Sequence, residues 1–136
     1  MELVLDTCIM KAAGQGVKTC RDVVMRIDEN CDNRLVVDKE QKLVEIYNRE
    51  ADNVGIASTL FSLIRRWKVD PVSRSQVRAA NLTSSEKLIL EVARSRGNCA
   101  IVTNRLNYRR FMRFKQRNLV PNTVRVTTPT GIMASL

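Results

Sequence analysis

Histidine is absent from this 136-residue chain. Ser-His-Asp triads, Cys-His dyads, HExxH zinc sites and imidazole acid–base chemistry are therefore excluded. Carboxylates with a metal ion, or Lys and Ser, are the groups left for catalysis. One carboxylate stands out by position. Asp6 closes the run ELVLD at residues 2–6, which reads as a short strand ending in an acid. Thr103 and Asn104 come at the end of a second strand-like run, CAIVT at 99–103. In open α/β sheets, ligands bind beyond the carboxyl ends of the strands, where the strand order reverses. The chain has neither GxGxxG nor GxxxxGK[ST], so the common glycine-rich phosphate cradles are missing. Acids at strand ends suit a hard cation such as Mg²⁺ or Mn²⁺, which takes oxygen ligands and keeps several waters. Partly desolvated carboxylates about 4 Å apart repel by several kcal/mol and need a cation between them.

The elements that would position these groups alternate along the chain. After the first strand, Ala12–Gly16 with its two glycines reads as a break, and 17–29 as a helix. RLVV at 34–37 is a second β-rich run. Asp38 is placed to accept first-turn amides of the next helix, which reaches about Glu50 and spaces Leu43, Ile46 and Tyr47 for one buried face. A third helix is expected over 55–67, then a polar, basic connection around Pro71, with the cations Arg65, Arg66, Lys68, Arg74 and Arg78 forming one cluster. Thr83-Ser84-Ser85-Glu86 resembles a helix start, and Gly97 stops that helix after Arg96. Residues 105–117 form a basic helix, with Phe111 and Phe114 expected in the core, and 124–127 a last strand. Strands alternating with helices predict parallel βαβ units in a doubly wound α/β sheet. Residues 1–136 read as one domain, in which a helical hairpin at 40–70 could stand off the sheet.

The charge balance points to a partner. Lys and Arg number 23 against 14 Asp and Glu, a net charge of +9. Such a surface attracts polyanions, because each phosphate contact releases condensed counterions. Arg105, Arg109, Arg110, Arg113, Lys115 and Arg117 lie on the helix that starts beside Thr103-Asn104, and arginine forks match phosphate geometry. A solvated basic face is the bland alternative. Cys8, Cys20, Cys31 and Cys99 form no CxxC pair. With no apolar run long enough to span a bilayer and acids inside the opening MELVLDTCIM, they read as reduced, mostly buried thiols of a cytoplasmic protein.

Four fragments, in order, resemble the PIN domains, small metal-dependent ribonucleases that include toxins of toxin–antitoxin pairs and RNA-processing factors. LVLDTCIM is similar to that family's first strand and its acid. LVVDKEQKLVEIY is similar to its strand-then-helix segment, with the helical acid falling on Glu45 and Glu40 as second choice. LTSSEKLILEVARSRGNCAIVTN resembles the segment in which an acid, here Glu86, opens a helix that ends at Gly before a strand ending in Val-Thr. VRVTTPTGIM resembles the closing strand and its tail. The resemblance implies a PIN-like sheet of four to five mostly parallel strands. It also implies Mg²⁺ or Mn²⁺ held by Asp6, Glu45 and Glu86, and hydrolysis of RNA by metal-activated water. Thr103, Arg105, Arg109, Arg110 and Arg113 would contact the nucleic acid. Where the family carries further aspartates after Val-Thr, this chain has Arg105 and Asn107. Asn107 could hold a metal-bound water; Arg105 could bind phosphate or fill the space of a second metal. That departure leaves two expectations: a metal-dependent endoribonuclease, or a non-catalytic PIN-like module that binds RNA or a protein partner. Homodimers and antitoxin-type partners are implied by the same resemblance.

Overall fold

A computed structural model describes all residues, 1–136. In chain order the elements are β1 (Glu2–Leu5), α1 (Thr7–Gly14), α2 (Lys18–Glu29), β2 (Arg34–Asp38), α3 (Lys42–Ala51), α4 (Val54–Arg65), β3 (Val69–Val72), α5 (Ser84–Arg96), β4 (Ala100–Val102), α6 (Arg105–Gln116), β5 (Arg125–Thr127) and α7 (Pro129–Ile132), followed by a 3₁₀ turn at Met133–Ser135. The five strands form one sheet in the order β3-β2-β1-β4-β5, parallel at every pairing. The expected α/β architecture is what the chain adopts. Consecutive residues of a strand point to opposite faces, yet Leu3, Val4 and Leu5 are all fully buried, so helices cover the sheet on both sides. Right-handed crossovers account for this. The chain moves one way through β1, β2 and β3, then jumps to β4 and moves the other way. Helices α1–α4 therefore lie on one face and α5 and α6 on the other.

Three expectations are corrected. The stretch expected as a break at Ala12–Gly16 is helical through Gly14, the end of α1. The helices at 40–70 do not stand off the sheet. Leu43, Tyr47 and Ala51 of α3 and Ile56, Leu60 and Leu63 of α4 are buried in the common core. The approach of α3 to α1 is so close that a Cβ added to Gly14 would lie 1.7 Å from the Ala51 carbonyl oxygen. And the connection around Pro71 is a strand, β3, with Val37 in register with Pro71. Proline is tolerated there because β3 is an edge strand with a single neighbour. The start of α5 matches expectation in detail. Thr83 and Glu86 form a reciprocal capping box, and Gly97 closes the helix with φ of 77°. Phe111 and Phe114 are buried, edge to face, as expected of core residues. All four cysteines are free thiols: Cys20 and Cys99 buried, Cys8 partly so, Cys31 exposed. No helix is long and apolar enough to cross a membrane.

Candidate functional site

The strand order reverses between β1 and β4, and Asp6 sits at that crevice. Its backbone amide donates to the Val102 carbonyl at 2.8 Å, extending the β1–β4 pairing by one residue. Asp6 occupies the N-cap position of α1, where an aspartate commonly turns its carboxylate onto the helix amides. Here it makes no such bond. Instead the carboxylate reaches across to the β4 side. The Thr103 hydroxyl donates to Oδ2 at 2.7 Å, and the Asn107 side-chain amide donates to the same oxygen at 3.4 Å. Asn107 is placed by Asn104, whose Oδ1 caps α6 by accepting the Asn107 backbone amide at 2.8 Å. Asp6 is 5% exposed and Thr103 is fully buried. Every hydrogen bond to the carboxylate ends on Oδ2. Oδ1 receives neither of these two bonds and is not fully buried.

The surroundings register that negative charge. The Cys8 thiol, 4.0 Å from the Asn107 amide nitrogen, has its pKa pushed up to about 12, by burial first and by the Asp6 charge second. The Tyr47 hydroxyl donates to the Leu5 carbonyl, and its pKa is pushed well above the usual phenol value by burial and then by Asp6. Neither Cys8 nor Tyr47 was marked by sequence as part of the site. Asp38, fully buried one strand away, accepts the amides of Lys42 (3.0 Å) and Leu43 (2.8 Å), the helix-capping role expected of it.

Asp6, Asn107 and Thr103 are brought together; the other two expected carboxylates stand elsewhere. Glu45 lies in the first turn of α3 and is exposed. At 100° per residue it is about 200° round the helix from Leu43, which is fully buried, so it faces away from the core. Glu86 is buried but engaged. It accepts the Thr83 amide at 2.9 Å and a two-pronged guanidinium from Arg110, whose Nη2 also donates to the Asn81 carbonyl at 2.6 Å. Burial pushes the Glu86 pKa up, but the bonds from Arg110 and Thr83 outweigh it and hold the carboxyl below its usual value. No group of three or more Cys, Asp or Glu side chains is arranged to hold a metal ion. A divalent ion held jointly by Asp6, Glu45 and Glu86 therefore does not fit the side chains as they stand.

The basic residues divide likewise. Arg105, Arg109 and Arg113 are exposed on α6 at four-residue intervals and make no ion pair. Arg110, one step round the helix, is committed to Glu86 and stacks over the Phe114 ring. In the second cluster Arg66 pairs with Asp28, and Lys68 is buried with its ammonium on the carbonyls of Ile27, Asp28 and Asn30. Fold and crevice together define a doubly wound α/β protein with one buried acid at its switch point and an arginine stripe leading away from it. The chain has no significant match among protein-family models, curated proteins or solved structures.

Proposed function

We propose that this chain is a PIN-like domain that binds single-stranded RNA along α6, with the Asp6 crevice at the start of the bound segment. The observation that carries the reading is the stripe Arg105, Arg109 and Arg113. It is exposed, has no carboxylate partner, and runs from the turn that also positions Asn107 against Asp6. Three arginines on one helical side span two turns, about 12 Å, which suits the phosphates of a short extended strand. The net charge of +9 supports a polyanionic partner. Work in the cytoplasm is part of the same proposal.

The test is fluorescence anisotropy of a labelled single-stranded RNA between about 50 and 200 mM salt. Replacing Arg105, Arg109 and Arg113 together by Gln is expected to weaken binding and to flatten the salt slope by about 2, at roughly 0.7 per lost phosphate contact. Equal affinity and slope in parent and variant would sink the proposal. A second reading, metal-dependent hydrolysis of the bound strand, rests on the Asp6 carboxylate, whose Thr103 and Asn107 donors both bond Oδ2. It requires Glu86 to leave Arg110. Cleavage in Mn²⁺ that is abolished by Asp6→Asn, with RNA affinity retained, would select it.

A further inference from the structure

A wide cleft is lined by residues other than those around Asp6. It has a volume of about 630 Å³ and opens where the starts of α3 and α5 meet the segment after β3, on the β2–β3 side of the sheet. Eight of its ten lining residues are polar or charged, and Ile46 and Leu88 are the apolar pair. A volume of this order suits a small ligand. Its charges are unevenly satisfied. Glu91 is buried beneath, with Oε2 accepting the Val77 amide at 3.1 Å. Arg74 lies between Glu91 at 3.6 Å and Glu40 at 3.8 Å, so one cation answers two carboxylates. Lys42 and Lys87 line the same cleft, are exposed, and have no carboxylate partner.

Lys42 and Lys87 border one cleft without carboxylate partners, so an anion placed between them would be attracted by both. The first-turn amides of α3 are taken by Asp38, and Thr83 caps α5. An incoming anion would meet the lysine side chains as the unpaired cations of this cleft. Ser73, Gln76 and Ser84 add hydroxyl and amide groups of the kind that bond sugar hydroxyls. Ile46 and Leu88 give an apolar strip for a flat ring.

We infer that this cleft binds the phosphate and ribose of a nucleotide, with the phosphate between Lys42 and Lys87. The nucleotide is either free or part of an RNA strand. This inference does not depend on the arginine stripe of α6.

The experiment follows the backbone amides of Lys42, Ser84 and Lys87 by NMR while adenosine 5′-monophosphate or a short RNA oligonucleotide is added. It is run on the parent chain and on the K42Q/K87Q variant, whose substitutions are exposed and leave the core intact. The expected result is that at least one probe shifts these amides and that its affinity falls about tenfold or more in the variant. Response to the mononucleotide identifies a free nucleotide as a ligand. Response to the oligonucleotide alone identifies a nucleotide within a strand. Unshifted amides with both probes, or unchanged affinity in the variant, overturn the inference. RNA binding lost only in the Arg105/Arg109/Arg113 variant separates failure here from failure of the α6 proposal.

Discussion

Replacing Thr103 by Val keeps the shape of a fully buried side chain and removes one atom group, the hydroxyl that donates to Asp6 at 2.7 Å. Asp6 is left with the 3.4 Å bond from Asn107 as its only side-chain donor. A hydrogen bond to a charged group contributes about 1.5–3 kcal/mol. Asp6 is nearly buried, so water can replace the lost donor only through the crevice, and the upper half of that range is expected. Unfolding entropy of roughly 2.1 cal/mol/K per residue gives about 0.29 kcal/mol/K for this chain, so Tm should fall by about 8–10 °C. The assay is thermal unfolding by circular dichroism on a double-mutant cycle of Thr103→Val with Asp6→Ala. Because both variants delete the same bond, their effects should fall short of additivity by about 1 kcal/mol or more. Additivity within about 0.5 kcal/mol would refute the idea that Thr103 holds the Asp6 carboxylate, and with it the pre-set crevice.

Gly14→Ala should destabilise by about 1–3 kcal/mol, since the new methyl meets the Ala51 backbone rather than a side chain that can move; equal urea midpoints for variant and parent would contradict the α1–α3 contact. The depressed Glu86 carboxyl contributes stability that is present above its unfolded-state pKa and is lost as pH falls through the lower folded value. Arg110→Gln should therefore flatten the fall of stability in the acid range, read by urea unfolding from neutral to low pH; an unchanged slope would mean the pair is idle. The Cys8 and Cys99 thiols both stand at about 12, with burial the largest cause in each. Iodoacetamide at mildly alkaline pH should label the exposed Cys31 well before either, as followed by mass spectrometry, and early labelling of Cys8 would show that the crevice opens.

The parts of this fold that sequence made readable are those written in local chemistry. Thr83 and Glu86 three residues apart, followed by Leu88-Ile89-Leu90 and ended by Gly97, carry enough information to place α5 within a residue. Asp6 could be singled out as an acid closing a short apolar run; LVVD at 35–38 has the same form, and there the acid caps α3 instead. The strand β3 was hidden because an edge strand needs one ladder only, which lets Pro71 sit where a central strand would reject it. Glu45, Glu86 and Arg110 show a different limit. Sequence fixes which residue is present, but side-chain direction depends on where its helix is rolled. Leu43 and Tyr47 roll α3 so that Glu45 faces out, and Phe111 and Phe114 roll α6 so that Arg110 meets Glu86. Glu91 was the overlooked signal: an acid between Leu90 and Val92, inside an apolar run, is a buried charge in need of a partner.

The rim strand β3 has one more consequence. The carbonyls of Lys68 and Val72 point at β2, so by strand alternation Pro71 turns its nitrogen to the open side. That nitrogen carries no proton. A second molecule docking edge to edge would find a gap in the row of donors it needs, so crowding should not seed ribbons from this rim. The residue that hides the strand from a reader of the sequence also hides it from other chains.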